Sequence, residues 1–124
     1  MANPNIVNVA SILGENSSTS LTSTSATSIV SNAASSGKVL KINTLIVSNV
    51  DGTNACDITI NKYSAAALGG SAFAIASTVS VPADASLIVI DKTTSIYLKE
   101  NESIGAIAGT ANDLVVTCSW EDIS

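Results

Sequence analysis

With neither His nor Arg in this 124-residue chain, paired carboxylates are the first candidates for acid–base chemistry. Serine is abundant, but a serine nucleophile needs a base poised near neutral pH and donors for the developing oxyanion. Two carboxylate pairs remain: Glu100 and Glu102 around Asn101, and Glu121 beside Asp122. A glycosidase built on either pair needs a cleft lined by sugar-stacking aromatics, and Phe73, Tyr63, Tyr97 and Trp120 are the whole aromatic set. Both pairs are expected at polar turns or near the chain end, and no catalytic residue is assigned.

Loop carboxylates are also calcium ligands, and Asp51, Asp57, Asp84, Asp91 and Asp113 all fall near expected turns. None has the spacing of an EF-hand loop, so solvated turn residues are expected and no metal or cofactor is assigned. Cys56 and Cys118 are the two cysteines. A bridge needs their Cα atoms within ~7 Å, which spacing does not reveal, and a reducing compartment favours two buried small side chains. Asn16-Ser17-Ser18 and Asn101-Glu102-Ser103 are formal glycosylation sequons. Such short patterns arise often by chance.

The elements that hold these residues must be built from aliphatic side chains. The chain is 46% hydrophobic but only 3% aromatic, so Val, Ile, Leu and Ala fill the core, and β-branched residues suit pleated sheets. Charged residues make up 12%, about half the roughly 25% usual in soluble domains. A surface so poor in charge suggests burial against partners. Five Lys against ten acidic residues give a net charge of −5 without a basic cluster, which excludes a phosphate-neutralising nucleic-acid surface. No run approaches the ~20 apolar residues of a membrane-spanning helix, and Met1-Ala2-Asn3-Pro4-Asn5 does not read as a secretory signal. A soluble protein made in the cytoplasm is expected, with no membrane partner.

Period-two alternation dominates. It is clearest at Leu114, Val116, Cys118 and Trp120, and recurs at Ile58 and Ile60, at Ile75, Ser77, Val79 and Val81, at Ile96 and Leu98, and at Ile104, Ala106 and Ala108. Asp51-Gly52 is expected to close a hairpin between 45–50 and 56–62, and Gly109-Thr110-Ala111-Asn112 another before the last strand. Pro82 should end a strand that resumes at Ser86. Apolar phase switches between Leu40/Ile42 and Leu45/Val47, which predicts a bulge near Asn43-Thr44. Ala65-Ala66-Ala67, stopped by Gly69-Gly70, reads as a hairpin loop rather than a helix. Eight or nine short strands at this spacing predict a single all-β domain, a two-sheet antiparallel β-sandwich of jelly-roll type.

Residues 1–37 form a Ser/Thr/Ala-rich N-terminal segment, with one or two strands, that belongs to or packs on a core of residues 38–124. Thr22-Ser23-Thr24-Ser25 is the expected edge strand there, after a mobile loop over 15–20. The runs Leu45-Ile46-Val47 and Leu87-Ile88-Val89-Ile90 are apolar on both faces, so a second layer or a second subunit should cover the outer one. The candidate interface residues are therefore Ile46, Ile88 and Ile90, with Leu21 from the N-terminal segment and Trp120 wherever it is exposed.

The run Ser36-Gly37-Lys38-Val39-Leu40-Lys41-Ile42, followed by Leu45-Ile46-Val47-Ser48-Asn49-Val50-Asp51-Gly52, resembles small accessory virion proteins of tailed bacteriophages, notably marine cyanophages. The likeness continues through Val79-Ser80-Val81-Pro82-Ala83-Asp84-Ala85-Ser86-Leu87, through Ile96-Tyr97-Leu98-Lys99-Glu100-Asn101-Glu102-Ser103-Ile104, and through Val115-Val116-Thr117-Cys118-Ser119-Trp120-Glu121. It carries an order of strands and turns and no functional residue. The resemblance implies a virion structural protein: a capsid decoration or cement protein that stabilises the head by packing on the major capsid protein, as a homo-oligomer and by expectation a trimer. Its alternative is a neck, tail or fibre module, including a receptor- or carbohydrate-binding adhesin.

Overall fold

The computed structural model describes residues 4–124. Nine strands follow one another: β1 (Ile12–Ser20), β2 (Thr27–Asn32), β3 (Val39–Asn49), β4 (Cys56–Ala65), β5 (Gly69–Val81), β6 (Ser86–Ile90), β7 (Ile96–Leu98), β8 (Glu102–Ala108) and β9 (Leu114–Ile123). A single 3-10 turn, Lys92–Thr94, separates β6 from β7. Asp91 caps it: its Oδ1 accepts from the Thr93 and Thr94 amides, and the Thr94 hydroxyl accepts from the Asp91 amide.

Two antiparallel sheets result. The first runs β1-β9-β3-β6, with β7 also on β3, and the second runs β2-β8-β4-β5. The first strand pairs with the last, the second with the eighth, the third with β6 and β7, and the fourth with the fifth. The chain is thus one long antiparallel hairpin rolled into two layers, which is the jelly-roll sandwich that the alternation predicts.

Each layer turns its aliphatic residues inward. Ile42, Leu45, Val47, Leu114, Val116 and Cys118 of the first sheet meet Ile58, Ile60, Ile104 and Ala106 of the second, all fully or almost fully buried. Burying each of the Val, Leu and Ile side chains contributes roughly 1.5–3 kcal/mol, and the β-branched shape of Val and Ile suits the pleat. The phase switch in β3 is a bulge: Ile42 faces Trp120 and Thr44 faces Ser119, leaving Asn43 as the extra residue. Asn43 uses it to donate from Nδ2 to the Glu121 carboxylate at 2.8 Å. β5 stops at Val81, before Pro82, and β6 opens at Ser86.

The two turns expected to close hairpins connect different layers instead. β3 lies in the first sheet and β4 in the second, and β8 and β9 are likewise divided, so the segments containing Asp51-Gly52 and Gly109 to Asn112 are crossovers. Local turn chemistry specifies reversal of the chain, while the choice between pairing and crossing rests on which neighbour buries each apolar face. The 49–54 crossover is pinned from inside by Asn49, whose Nδ2 donates to the carbonyls of Asn54 (3.0 Å) and Val81 (2.9 Å).

In the N-terminal segment, residues 12–20 form β1 where a loop over 15–20 is expected, and Thr22 to Ser25 lie between strands. Pairing with β9 over nine residues supplies the ladder that composition alone does not reveal. Leu21 is 0% exposed, and its carbonyl and amide bond Asn112 and Leu114, so it plugs the core.

Candidate assembly surfaces

The hairpin joining β4 to β5 is the tip of the rolled chain and organises one margin of the sandwich. Gly69 N–H donates to the Ala66 carbonyl at 3.1 Å, with Ala67 (φ 55°) and Leu68 (φ 62°) between them in the left-handed region. That turn normally takes Asn-Gly, because each ordinary residue there costs about 1–2 kcal/mol. Three side chains hold it: the Ala66 amide donates to Asn101 Oδ1 (3.1 Å), the Ala67 amide to Ser31 Oγ (3.0 Å) and the Leu68 amide to Ser103 Oγ (2.9 Å). Ser103, itself buried, returns its proton to the Ala65 carbonyl at 2.8 Å. The tip is thereby fastened over β8 and β2.

β5 leaves this turn as a thirteen-residue edge strand, exposed along nearly its whole length. Phe73 is 59% exposed, and Ile75 is exposed as well. Its ladder with β4 shifts register three times, and between the shifts Ala72, Phe73 and Ala74 lie opposite Tyr63, Lys62 and Asn61. The shifts break the alternation expected through Ile75 and Ser77: Val79 and Val81 pair with Ile58 and Cys56, but Ala76 rather than Ser77 meets Ile60.

At the opposite margin, β1 and β2 part to leave a cleft of about 420 Å³ between the layers. Glu15, Leu40, Trp120 and Asp122 line it from the first sheet, and Ile29 and Val30 from β2. Asp122 takes an ion pair from Lys38 at 3.2 Å. Trp120 is half-buried, packed against the core, and lines the cleft.

Of the other candidate interface residues, Ile46 and Ile88 are cross-strand partners on the outer face of the first sheet, and Ile88 is 60% exposed. Leu21 and Ile90 are not surface residues: both belong to the buried core. The register shift between Leu45 and Ile46 explains Ile90, because it turns Ile90 inward beside Leu45 while Ile88 stays outward. Sequence reasoning missed Phe73 and the cleft. The signal available for Phe73 was a large aromatic inside a strand of small residues next to Gly69-Gly70.

Asp51, Asp91 and Glu102 each hold local backbone or a neighbouring side chain. Asp51 Oδ1 accepts from the Thr53 amide at 2.8 Å, and this bond holds the carboxyl below its ordinary pKa. Asp91 is lowered in the same way, first by the Thr93 hydroxyl. Partial burial works to raise Glu102, but bonds from Lys62 Nζ (2.8 Å) and the Lys99 amide (2.8 Å), with the charges of both lysines, outweigh it and leave the carboxyl lowered. Among the described residues, no three His, Cys, Asp or Glu side chains come together as a metal would require. Cys56 and Cys118 are free thiols, and burial pushes Cys118 up to about 12.

Fold and margins together define a small jelly-roll module with strand edges open on both sides. No family model and no curated protein matches the chain. Its fold is similar to that of a solved Bacillus protein from endospore appendages described as a family of disulfide-linked pili, with a TM-score of 0.52 and 15% identity over 91% of this chain and 88% of that one.

Proposed function

We propose that this chain is a non-enzymatic structural subunit that works by packing into a larger protein assembly, and that the assembly is a tailed-phage particle whose head it decorates. One observation carries the reading. β1, β2, β5, β6 and β7 form the margins of the two sheets, and Glu15 is the one charged residue among them, although the whole chain has fifteen charged side chains. Proteins that must remain single guard their edges with lysines and other inward charges, whereas uncharged open edges recruit strands or surfaces. The low overall charge and the exposed Ile88 and Phe73 fit the same role. A decoration protein acts by adding buried area across many equivalent joints, so modest contacts sum to substantial reinforcement.

A second reading, a subunit of a filamentous appendage, is favoured by the fold likeness to the pilus protein across almost the full length of both chains. Cryo-electron microscopy of particles from a phage encoding this chain separates the two. Density repeated over the head lattice supports decoration, density restricted to neck, tail or fibres moves the role there, and particles without the chain overturn the virion reading.

A further inference from the structure

The second sheet contains a continuous cross-strand row. Phe73 of β5 lies opposite Lys62 of β4, Lys62 opposite Ile104 of β8, and Ile104 opposite Val30 of β2. Residues in such a row share one face. Here it is the inner face, since Ile104 and Val30 are buried in the core. The row therefore begins at one margin with a largely exposed aromatic ring and ends at the other with a wall of the cleft.

Strand directions complete the pattern. Each sheet has four antiparallel strands across its width, so its two outermost strands run in opposite directions. A second copy displaced sideways without being turned over brings its β2 antiparallel to β5, and its β1 antiparallel to β6. The row then continues across the joint, with Phe73 of one copy next to Val30 of the next at the level of the cleft.

We propose that copies of this chain associate head-to-tail in this way, the β5 margin of one against the β2 margin of the next, with Phe73 seated in the neighbour's cleft between Val30, Leu40 and Trp120. The inference rests on the reading of the chain as an assembly subunit. The cleft, about 420 Å³, has room for an aromatic side chain. Charge supports a second copy as the occupant. A chain of net charge −5 repels itself except where the contact is uncharged or complementary, and β5 and β2 carry no charge. The charges nearest the joint are mostly paired within one copy, Lys62 with Glu102 at 2.8 Å and Lys38 with Asp122 at 3.2 Å, which leaves Glu15, among the described residues, as the one acidic group on the cleft side without such a pair. A two-fold pairing of β5 with β5 would leave the cleft unfilled. The contact is heterologous, so it builds a ring if the rotation between copies closes and a filament if it does not.

Sedimentation velocity of the purified full chain over a wide concentration range tests this, with Phe73→Asp and Ala33→Glu as variants; Ala33 is exposed at the cleft. The wild type should grow beyond a dimer. Each variant should associate at least roughly thirtyfold more weakly, as when an anchoring aromatic is lost, while keeping the wild-type melting temperature at concentrations where the wild type is monomeric. An equimolar mixture of the two should form a dimer and stop, because one variant retains its cleft and the other its Phe73. A wild type that stays monomeric, a wild type that stops at a dimer sensitive to Phe73→Asp but not to Ala33→Glu, or variants that never complement each other would each overturn the head-to-tail contact. None of these results bears on whether the chain is found in particles, which the microscopy decides separately.

Discussion

Leu68 lies over Gly105: a Cβ built on that glycine would stand 2.6 Å from Leu68 Cδ2 and 3.0 Å from the Tyr63 ring. The tip of the rolled chain reaches the outer face of β8 only because residue 105 has no side chain. Gly105→Ala should lower stability by about 1–3 kcal/mol through overpacking. Combining it with Leu68→Ala should recover part of the loss, and a double-mutant cycle in urea measures the coupling. Full additivity would mean the two sites do not press on each other.

The left-handed turn gives an opposing pair of outcomes. Ala67→Asn places a residue that tolerates positive φ and should stabilise by up to about 1 kcal/mol. Ser103→Ala removes both the acceptor of the Leu68 amide and the donor to the Ala65 carbonyl, and should cost about 1–3 kcal/mol. Thermal melting of both variants checks the signs.

Two buried asparagines hold loops to the sandwich. Asn49 Nδ2 donates to the carbonyls of Asn54 and Val81, and Asn32 Nδ2 donates to those of Lys38 (2.9 Å) and Leu98 (3.2 Å) while its Oδ1 accepts from Ser36. Asn32→Leu or Asn49→Leu leaves buried carbonyls unmet, and each should lose at least about 2 kcal/mol. Losses below 0.5 kcal/mol, roughly the scale of a surface substitution, would show that water replaces the side chain.

Glu102 predicts acid sensitivity. Its carboxyl is lowered in the folded chain relative to 4.5, so its contribution is present above that value and is lost as pH falls through the lower folded value. The stability of the native chain should therefore decline below pH 4.5 by more than that of Glu102→Gln, measured by urea denaturation at successive pH values.

Thiol reactivity should report unfolding. Cys118 faces Leu45 and Ser17 across its ladder neighbours in the first sheet, and Cys56 opens β4 in the second. With its thiol pushed up to about 12, Cys118 holds almost no thiolate at pH 8. A maleimide at a concentration that outpaces refolding should label it at the rate of global unfolding, and rapid labelling of the native chain would contradict its burial.

The all-β class, the Pro82 boundary, the bulge at Asn43 and the inward row Leu114, Val116 and Cys118 are legible in the residues alone, because alternation and missing amide hydrogens act over a few residues. Strand pairing across the fold makes Asp51-Gly52 cross between layers, places Leu21 and Ile90 in the core and Ile88 at the surface, and sets Phe73 and Val30 at the two ends of one row on opposite margins. Those facts depend on pairings such as Ile12 with Ile123, which join distant parts of the chain. No local pattern encodes them, since register is fixed by the burial of whole faces and not by the residues of one strand.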